Sequence, residues 1–128
     1  MSHVVAVATV YRDLDALRVA VERLGGRLIE GQDRFRLYAG GKQPCLHTIV
    51  IAGREEGYQI GVRYAEANGP ESGYQLWCDF FDGSLSKQFG ANLSKLAEEY
   101  GAEVAMRELV TAGFQVTRID APSQTVRY

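Results

Sequence analysis

Two stretches of the sequence, Gly57-Tyr58-Gln59-Ile60-Gly61-Val62-Arg63-Tyr64 and Gly73-Tyr74-Gln75-Leu76-Trp77-Cys78-Asp79-Phe80-Phe81, alternate apolar and polar residues and open with the same three residues. Alternation at period two indicates β-strands. The residues between the stretches include Asn68-Gly69-Pro70, which interrupts a ladder because proline has no N–H to donate. The sequence therefore predicts one hairpin with a long loop.

The two faces of these strands predict their register, because a shift of one residue would move every side chain to the opposite face. Pairing Tyr64 with Tyr74 gives one unbroken apolar face. On the other, more polar face this register pairs Arg63 with Gln75, Gly61 with Trp77, and Gln59 with Asp79. We expect the Trp77 ring to lie over the bare backbone of Gly61.

Length and composition predict a single α+β domain that spans residues 1–128. The chain is 46% hydrophobic, which suffices for a core without disulfides or metals. Its net charge of −2 gives no general attraction to phosphate backbones, so we expect no nucleic-acid partner. Because it has no secretory signal and no apolar run of bilayer length, we expect a cytoplasmic protein that does not enter membranes.

The remaining strands are predicted from β-branched residues and turn signals. Residues 3–11 are apolar at both parities, which favours a strand that is central or covered on both faces. Residues 27–30 and 34–38 flank Gly31-Gln32-Asp33 and predict a short hairpin, followed by a loop at 40–44. Residues 46–51 predict a well-buried strand, and residues 114–119 and 125–128 predict two short terminal strands.

Two regions have the spacing of amphipathic helices. Asp13 is a candidate N-cap for the first, which ends before Gly25-Gly26. The second runs from Leu85 to Gly113, as one bent helix or two consecutive helices, with Ser84 or Asn92 as caps. Together the elements predict an α+β fold, with one mostly antiparallel sheet of about six to eight strands and two or three helices packed on one face.

These segments resemble the family of hypothetical chloroplast reading frame thirty-five, small proteins of plastids, cyanobacteria and other bacteria. The resemblance covers the opening Met1-Ser2-His3 with Asp13-Leu14-Asp15-Ala16-Leu17, the central Gly57-to-Arg63 motif leading to Tyr74-Gln75-Leu76 and Asp79, and the helix around Tyr100-Gly101-Ala102. Phe80-Phe81-Asp82-Gly83 departs from the tryptophan-rich turn expected there. The resemblance implies a small α+β domain, no established activity, and an accessory role beside an ATPase of the AAA type.

Four side chains, Cys45, His47, Cys78 and His3, are the candidates for a zinc site. Their spacing is not one used by structural zinc sites, and Cys78 falls on the apolar face of the hairpin. We therefore expect no metal and no other cofactor, and we interpret His47 as structural. His3 either meets a polar group at the end of the sheet or belongs to a frayed terminus.

The polar face of the hairpin is the predicted binding surface, because tryptophan and arginine are enriched at binding hot spots. Its residues are Trp77, Arg63, Asp79, Gln59 and Gln75, with His3 as a further candidate. We expect Arg63 and Asp79 one diagonal step apart, as a ligand site or a surface ion pair.

The first hypothesis is a non-enzymatic accessory or interaction protein that binds a protein partner through this sheet face. The alternative is a small-molecule-binding protein or enzyme that uses a polar site around Arg63 and Asp79. No motif in the sequence identifies a reaction, a partner or an oligomeric state.

Overall fold

The computed structural model describes residues 4–37, 40–67 and 69–117. The elements along the chain are β1 (Val4–Tyr11), α1 (Leu14–Arg23), β2 (Gly26–Glu30), β3 (Arg34–Arg36), β4 (Lys42–Pro44), β5 (His47–Ile51), β6 (Ile60–Tyr64), β7 (Tyr74–Asp79), α2 (Ser84–Phe89) and α3 (Ser94–Thr111). A five-stranded sheet has the order β1-β7-β6-β5-β2, and β3 and β4 form a separate two-stranded sheet. The paired strands are antiparallel. The predicted α+β class is confirmed, although the main sheet has five strands rather than six to eight.

The central hairpin has the predicted register. Tyr64 pairs with Tyr74 and Gly61 pairs with Trp77, so alternating side chains share the expected faces. Because β6 begins at Ile60, the predicted pair of Gln59 with Asp79 lies beyond this ladder. Hydrophobic alternation was therefore sufficient to specify the pairing of β6 with β7.

One hydrophobic core fills the space between the main sheet and the three helices. Its buried members include Leu17 and Val21 of α1, Ile60 and Val62 of β6, Leu76 and Cys78 of β7, Phe89 of α2 and Leu96 of α3. The helices thus pack on one face of the sheet, as predicted. None of the helices among the described residues is long and apolar enough to cross a membrane.

Helix α1 begins as predicted, with Asp13 Oδ1 accepting a hydrogen bond from Ala16 N at 3.0 Å. The second helical region consists of two helices, because the backbone turns at Gly90 and then at Asn92 and Leu93, whose φ angles are positive. The predicted caps at Ser84 and Asn92 are wrong. Asp82 lies ahead of α2, and its Oδ1 accepts a hydrogen bond from the Ser84 N–H.

Gly113 ends α3 as predicted. Its φ angle of +97° is in the left-handed region that glycine adopts without strain. Phe114 N then donates to Leu109 O at 3.0 Å. No strand follows in the described residues 114–117, and the rest of the two predicted terminal strands lies outside the described residues.

The predicted hairpin between residues 27–30 and 34–38 is wrong. β2 pairs with β5. β3 pairs with β4, and β4 lies inside the segment 40–44 that was predicted to be a loop. Thr48 Oγ1 donates its single hydrogen toward Gln32 O at 2.9 Å, with Arg34 O also in reach at 3.2 Å, and so fixes the chain where it leaves the main sheet. Local turn composition predicted the bend correctly but could not predict the partner of each strand.

The prediction that β1 is central or doubly covered is also wrong, because β1 is an edge strand. Val5 is 41% exposed and Val10 is 38% exposed. Its pairing with β7 is regular from Val4 to Val7 and then shifts register before Val10, which is a β-bulge. The residues between Val4 and Val10 are valine, alanine and threonine, which are small enough to leave an edge uncovered without a large apolar patch.

The opposite edge of the sheet, β2, has a different character. Its exposed positions include Arg27 and Glu30, and Arg27 Nη2 lies 3.4 Å from Glu55 Oε2. Charged side chains on an edge strand discourage pairing with another chain. The sheet therefore has one charged edge and one uncharged edge.

A buried carboxylate joins α3 to α1. Glu103 is 4% exposed, and its carboxylate oxygens lie 2.7 Å from Arg23 Nη1 and 2.7 Å from Arg107 Nε. Arg107 also lies 2.9 Å from Asp15 on α1. The hydrogen bond from Arg107, with a smaller contribution from Arg23, holds the pKa of Glu103 below its ordinary value of 4.5 despite burial.

We expect Glu103→Gln to lower the free energy of unfolding by about 2 kcal/mol at neutral pH, since it removes charged hydrogen bonds. Because the folded-state pKa is lowered, this contribution is present above the unfolded value and is lost as the pH falls through the folded value. Urea titrations of both proteins at neutral and at strongly acid pH measure the difference. A difference that does not shrink at acid pH would contradict this assignment.

Candidate functional site

The outer face of the main sheet, opposite the helices, is partly covered by the β3–β4 hairpin. Phe35 of β3 is fully buried, and its ring lies directly on the backbone of Gly61. A Cβ added at Gly61 would overlap the Phe35 ring. The expectation that Trp77 covers Gly61 is wrong, because Phe35 occupies that place.

Arg63 connects the hairpin to β7 through a stack of three side chains, which we call the Arg63 stack. The guanidinium carbon of Arg63 lies 4.6 Å from the centre of the Trp77 ring and 5.6 Å from that of Phe35. Arg63 Nε donates to Pro44 O, and Nη2 donates to Gln43 Oε1, both at 3.0 Å. A cation–π contact combined with directed hydrogen bonds from several nitrogens is the geometry that arginine supplies and lysine does not.

The two glutamines of the predicted surface make internal hydrogen bonds. Gln59 is 7% exposed; its Oε1 accepts from Arg36 N, and its Nε2 donates to Glu55 O, both at 2.8 Å. Gln75 Nε2 donates to Val7 O at 3.1 Å. Gln59 therefore attaches the β3–β4 hairpin, while Gln75 attaches β1.

Asp79 is buried rather than presented to solvent, with 2% of its surface exposed. Its Oδ1 accepts a hydrogen bond from Phe81 N at 2.9 Å, and its Oδ2 has no hydrogen-bond partner among the described residues. The prediction that Arg63 and Asp79 lie one diagonal step apart is wrong. Since Arg63 pairs with Gln75, Trp77 separates the two charges along β7.

The structure thus brings together Trp77 and Arg63 of the six predicted site residues. It places Gln59 and Asp79 in the interior and engages Gln75 with β1. His3 lies outside the described residues. The predicted role of Trp77 and Arg63 in partner binding stays a prediction.

The candidate zinc ligands have separate structural environments. His47 Nδ1 accepts a hydrogen bond from Gly31 N at 2.9 Å, and Cys45 Sγ lies 3.3 Å from Gln32 O. Cys78 is fully buried in the core, and burial raises the pKa of its thiol to about 12. Within residues 4–37, 40–67 and 69–117, no three His, Cys, Asp or Glu side chains are grouped so that they could hold a metal ion.

The feature that the sequence did not predict is the free edge of β1. Ala65 N donates to Gly73 O at 2.8 Å, so Gly73 and every second residue after it direct their N–H and C=O groups toward β6. The residues between them, including Leu76 and Cys78, direct these groups toward β1, where they face Val7 and Val5. The N–H and C=O groups of Val4 and Ala6 therefore point away from β7. No strand in the described parts of the chain pairs with that side, which we call the β1 edge.

A depression of about 460 Å³ lies beside the β1 edge. It is lined by the β1 residues from Val5 to Thr9 together with Phe80 and Asn92, none of which is charged. A second depression of about 330 Å³ lies between α1 and the end of α3 and includes Asp13 and Arg107. Arg63 and Asp79 line neither of them, so neither depression corresponds to the predicted polar site.

One signal in the sequence was available for the β1 edge. A strand buried on both faces is rich in isoleucine, leucine and valine, as in the Ile49-Val50-Ile51 run of β5. Residues 4–10 contain valine, alanine and threonine but no isoleucine or leucine. Apolar character at both parities does not by itself distinguish a covered strand from an edge strand built of such small residues.

Comparison with known proteins yields no match: no family model, no curated protein and no solved structure matches the chain. The resemblance to the family of hypothetical chloroplast reading frame thirty-five accordingly stays a prediction.

We expect Gly61→Ala to lower the free energy of unfolding by about 1 to 3 kcal/mol, because the new methyl group overlaps the Phe35 ring. Gly101→Ala is the matched control. It lies on the open surface of α3 and should raise stability by about 1 kcal/mol. Urea denaturation measures both; a neutral Gly61→Ala would show that the hairpin does not rest on Gly61.

We expect Arg63→Lys to lower the free energy of unfolding by about 1 to 2 kcal/mol, because lysine keeps the charge but loses the stack and the paired hydrogen bonds. Arg27→Lys, at an exposed ion pair, should change it by less than about 0.5 kcal/mol. Hydrogen exchange at the amides of β3 and β4 should accelerate in Arg63→Lys alone. Equal effects of the two variants would contradict the role of Arg63 in attaching β4 to the sheet.

Proposed function

We propose that this protein is a non-enzymatic accessory or interaction protein that binds a protein partner by adding a partner strand to the β1 edge. The observation that carries the proposal is the outward main chain of Val4 and Ala6, which pairs with no strand of the described residues and lies beside an uncharged depression. Extended peptides add to free sheet edges in this manner: main-chain hydrogen bonds supply affinity, and flanking pockets supply specificity.

The surroundings of the edge support a protein partner. An added strand would place side chains on both faces of the sheet. On the helix side these would contact Val5 and the depression, and on the outer side they would approach Ala6, which pairs with Trp77. Trp77, which belongs to the sheet face proposed from the sequence, therefore lies next to the β1 edge.

The alternative of a small-molecule-binding protein or enzyme around Arg63 and Asp79 has less support. The Arg63 guanidinium already hydrogen-bonds Pro44 and Gln43, and Asp79 is buried with Trp77 between them. A polar ligand would have to replace the hydrogen bonds of Arg63 to β4 and reach a carboxylate that is 2% exposed to contact both groups.

The family resemblance supports an accessory role by a separate route. Membership of the family of hypothetical chloroplast reading frame thirty-five is itself a proposal, and it implies a partner that is an ATPase of the AAA type.

Ala6→Pro tests the proposal, because it removes an N–H that faces away from β7 while leaving the β1–β7 ladder intact. We expect the variant to keep the wild-type free energy of unfolding to within about 1 kcal/mol and to lose the proteins that the tagged wild type recovers from native extract. Ala6→Val, which retains the N–H, is the matched control and should recover them. Recovery of the same proteins by Ala6→Pro would refute strand addition at β1.

A further inference from the structure

We infer that the strand that pairs with the β1 edge is β1 of a second copy of this chain, related by a two-fold axis. This inference rests on the proposed function, because it identifies the partner of the same edge. In a two-fold dimer the β1 edge of each copy pairs with the β1 edge of the other. Neither β1 edge is then left to bind a third copy, so the assembly stops at two chains.

The chemistry of β1 makes it complementary to itself. Residues 4–11 contain no charged side chain and no proline, so two copies meet without like-charge repulsion or a missing donor. Devices that natural edges use against pairing, such as lysine or proline within the strand, are missing from this segment. Antiparallel pairing also keeps the helix side of one copy continuous with that of the other, and so brings a second Val5 beside the uncharged depression.

The β-bulge fixes where the two-fold axis falls. Regular pairing of β1 extends from Val4 to Val7, and Ala8 belongs to the irregular part. The outward groups of Val4 and Ala6 can be satisfied mutually only if Val4 of one copy faces Ala6 of the other. The axis then passes between the two Val5 residues, which face each other as a non-hydrogen-bonded pair.

Charges at the two ends of β1 favour this arrangement. Arg12 is exposed and comes directly after the last residue of β1. Asp82 is also exposed and comes after β7, whose last residue pairs with the first residue of β1, so Asp82 lies at the opposite end of the sheet from Arg12. Antiparallel pairing directs Arg12 of one copy toward the Asp82 end of the other. Opposite charges therefore approach at both ends of the shared ladder, and by symmetry the attraction occurs twice.

Sedimentation equilibrium over a range of concentrations tests the oligomeric state. We expect the wild type to approach a mass of twice 14.1 kDa. Ala6→Pro should raise the dissociation constant by about twenty-fivefold, since one donor is lost per copy at about a factor of five each. Ala6→Val should remain a dimer. A wild type that is monomeric throughout, or a dimer unaffected by Ala6→Pro, would overturn the inference.

Cross-linking tests the position of the axis and does not depend on the proline variant. In the proposed register the Cα atoms of the two Val5 residues lie about 4.5 Å apart, within the range that a disulfide spans. Val5→Cys in a Cys78→Ala background should therefore form a covalent dimer on mild oxidation; this background is needed because Cys78 faces residue 5 across the β1–β7 ladder and would compete as an intramolecular partner. Val10→Cys in the same background, similarly exposed on the same strand but beyond the bulge, should not, and Cys78→Ala alone controls for Cys45. Equal cross-linking of the two cysteine variants would overturn the proposed register.

The same experiments separate this inference from the proposed function. If the wild type is monomeric yet Ala6→Pro loses a different protein from the extract, the β1 edge binds another chain and only the two-fold inference fails. If Ala6→Pro affects neither dimer nor capture, both fail.

Discussion

The contact of the Phe35 ring with the bare backbone of Gly61 determines how the outer face of the sheet is used. Because Gly61 has no side chain, the β3–β4 hairpin can approach the sheet closely enough for Phe35 to be fully buried. The Arg63 guanidinium then lies over the Trp77 ring and near the Phe35 ring, and its hydrogen bonds attach β4. The hairpin covers the outer face around Gly61 and Arg63, whereas the outer face of the edge strand β1 is exposed at Ala6. The covered part stabilises the fold, and the exposed edge strand provides the proposed binding surface.

The sequence predicted the features that depend on local alternation and capping. The register of β6 with β7 followed from matched apolar faces, and the start of α1 followed from Asp13. It could not predict long-range pairing. Nothing within residues 27–38 indicates that β2 pairs with β5 while β3 turns away to β4, because that choice depends on Thr48 and on the burial of Phe35.

The candidate site follows less completely from the sequence, because a polar residue type does not establish that its side chain is exposed. Gln59 and Asp79 have side chains that usually lie at the surface, yet here they hydrogen-bond main-chain groups in the interior. The β1 edge, in contrast, was assigned to the interior because its residues are apolar. Both differences have one cause. The elements that cover the sheet, a hairpin on one side and helices on the other, are distant in sequence from the residues that they cover or leave exposed.

The charged character of β2 has a consequence for assemblies of this protein. If β1 of one molecule could pair with β2 of the next, each addition would leave a new free end, and the sheets would grow into a filament without limit. Arg27, in an ion pair with Glu55, and the exposed Glu30 make the β2 edge costly to desolvate against an uncharged strand. A few charges at the far side of the sheet therefore protect the protein from open-ended polymerisation, even though its other edge is free of such protection.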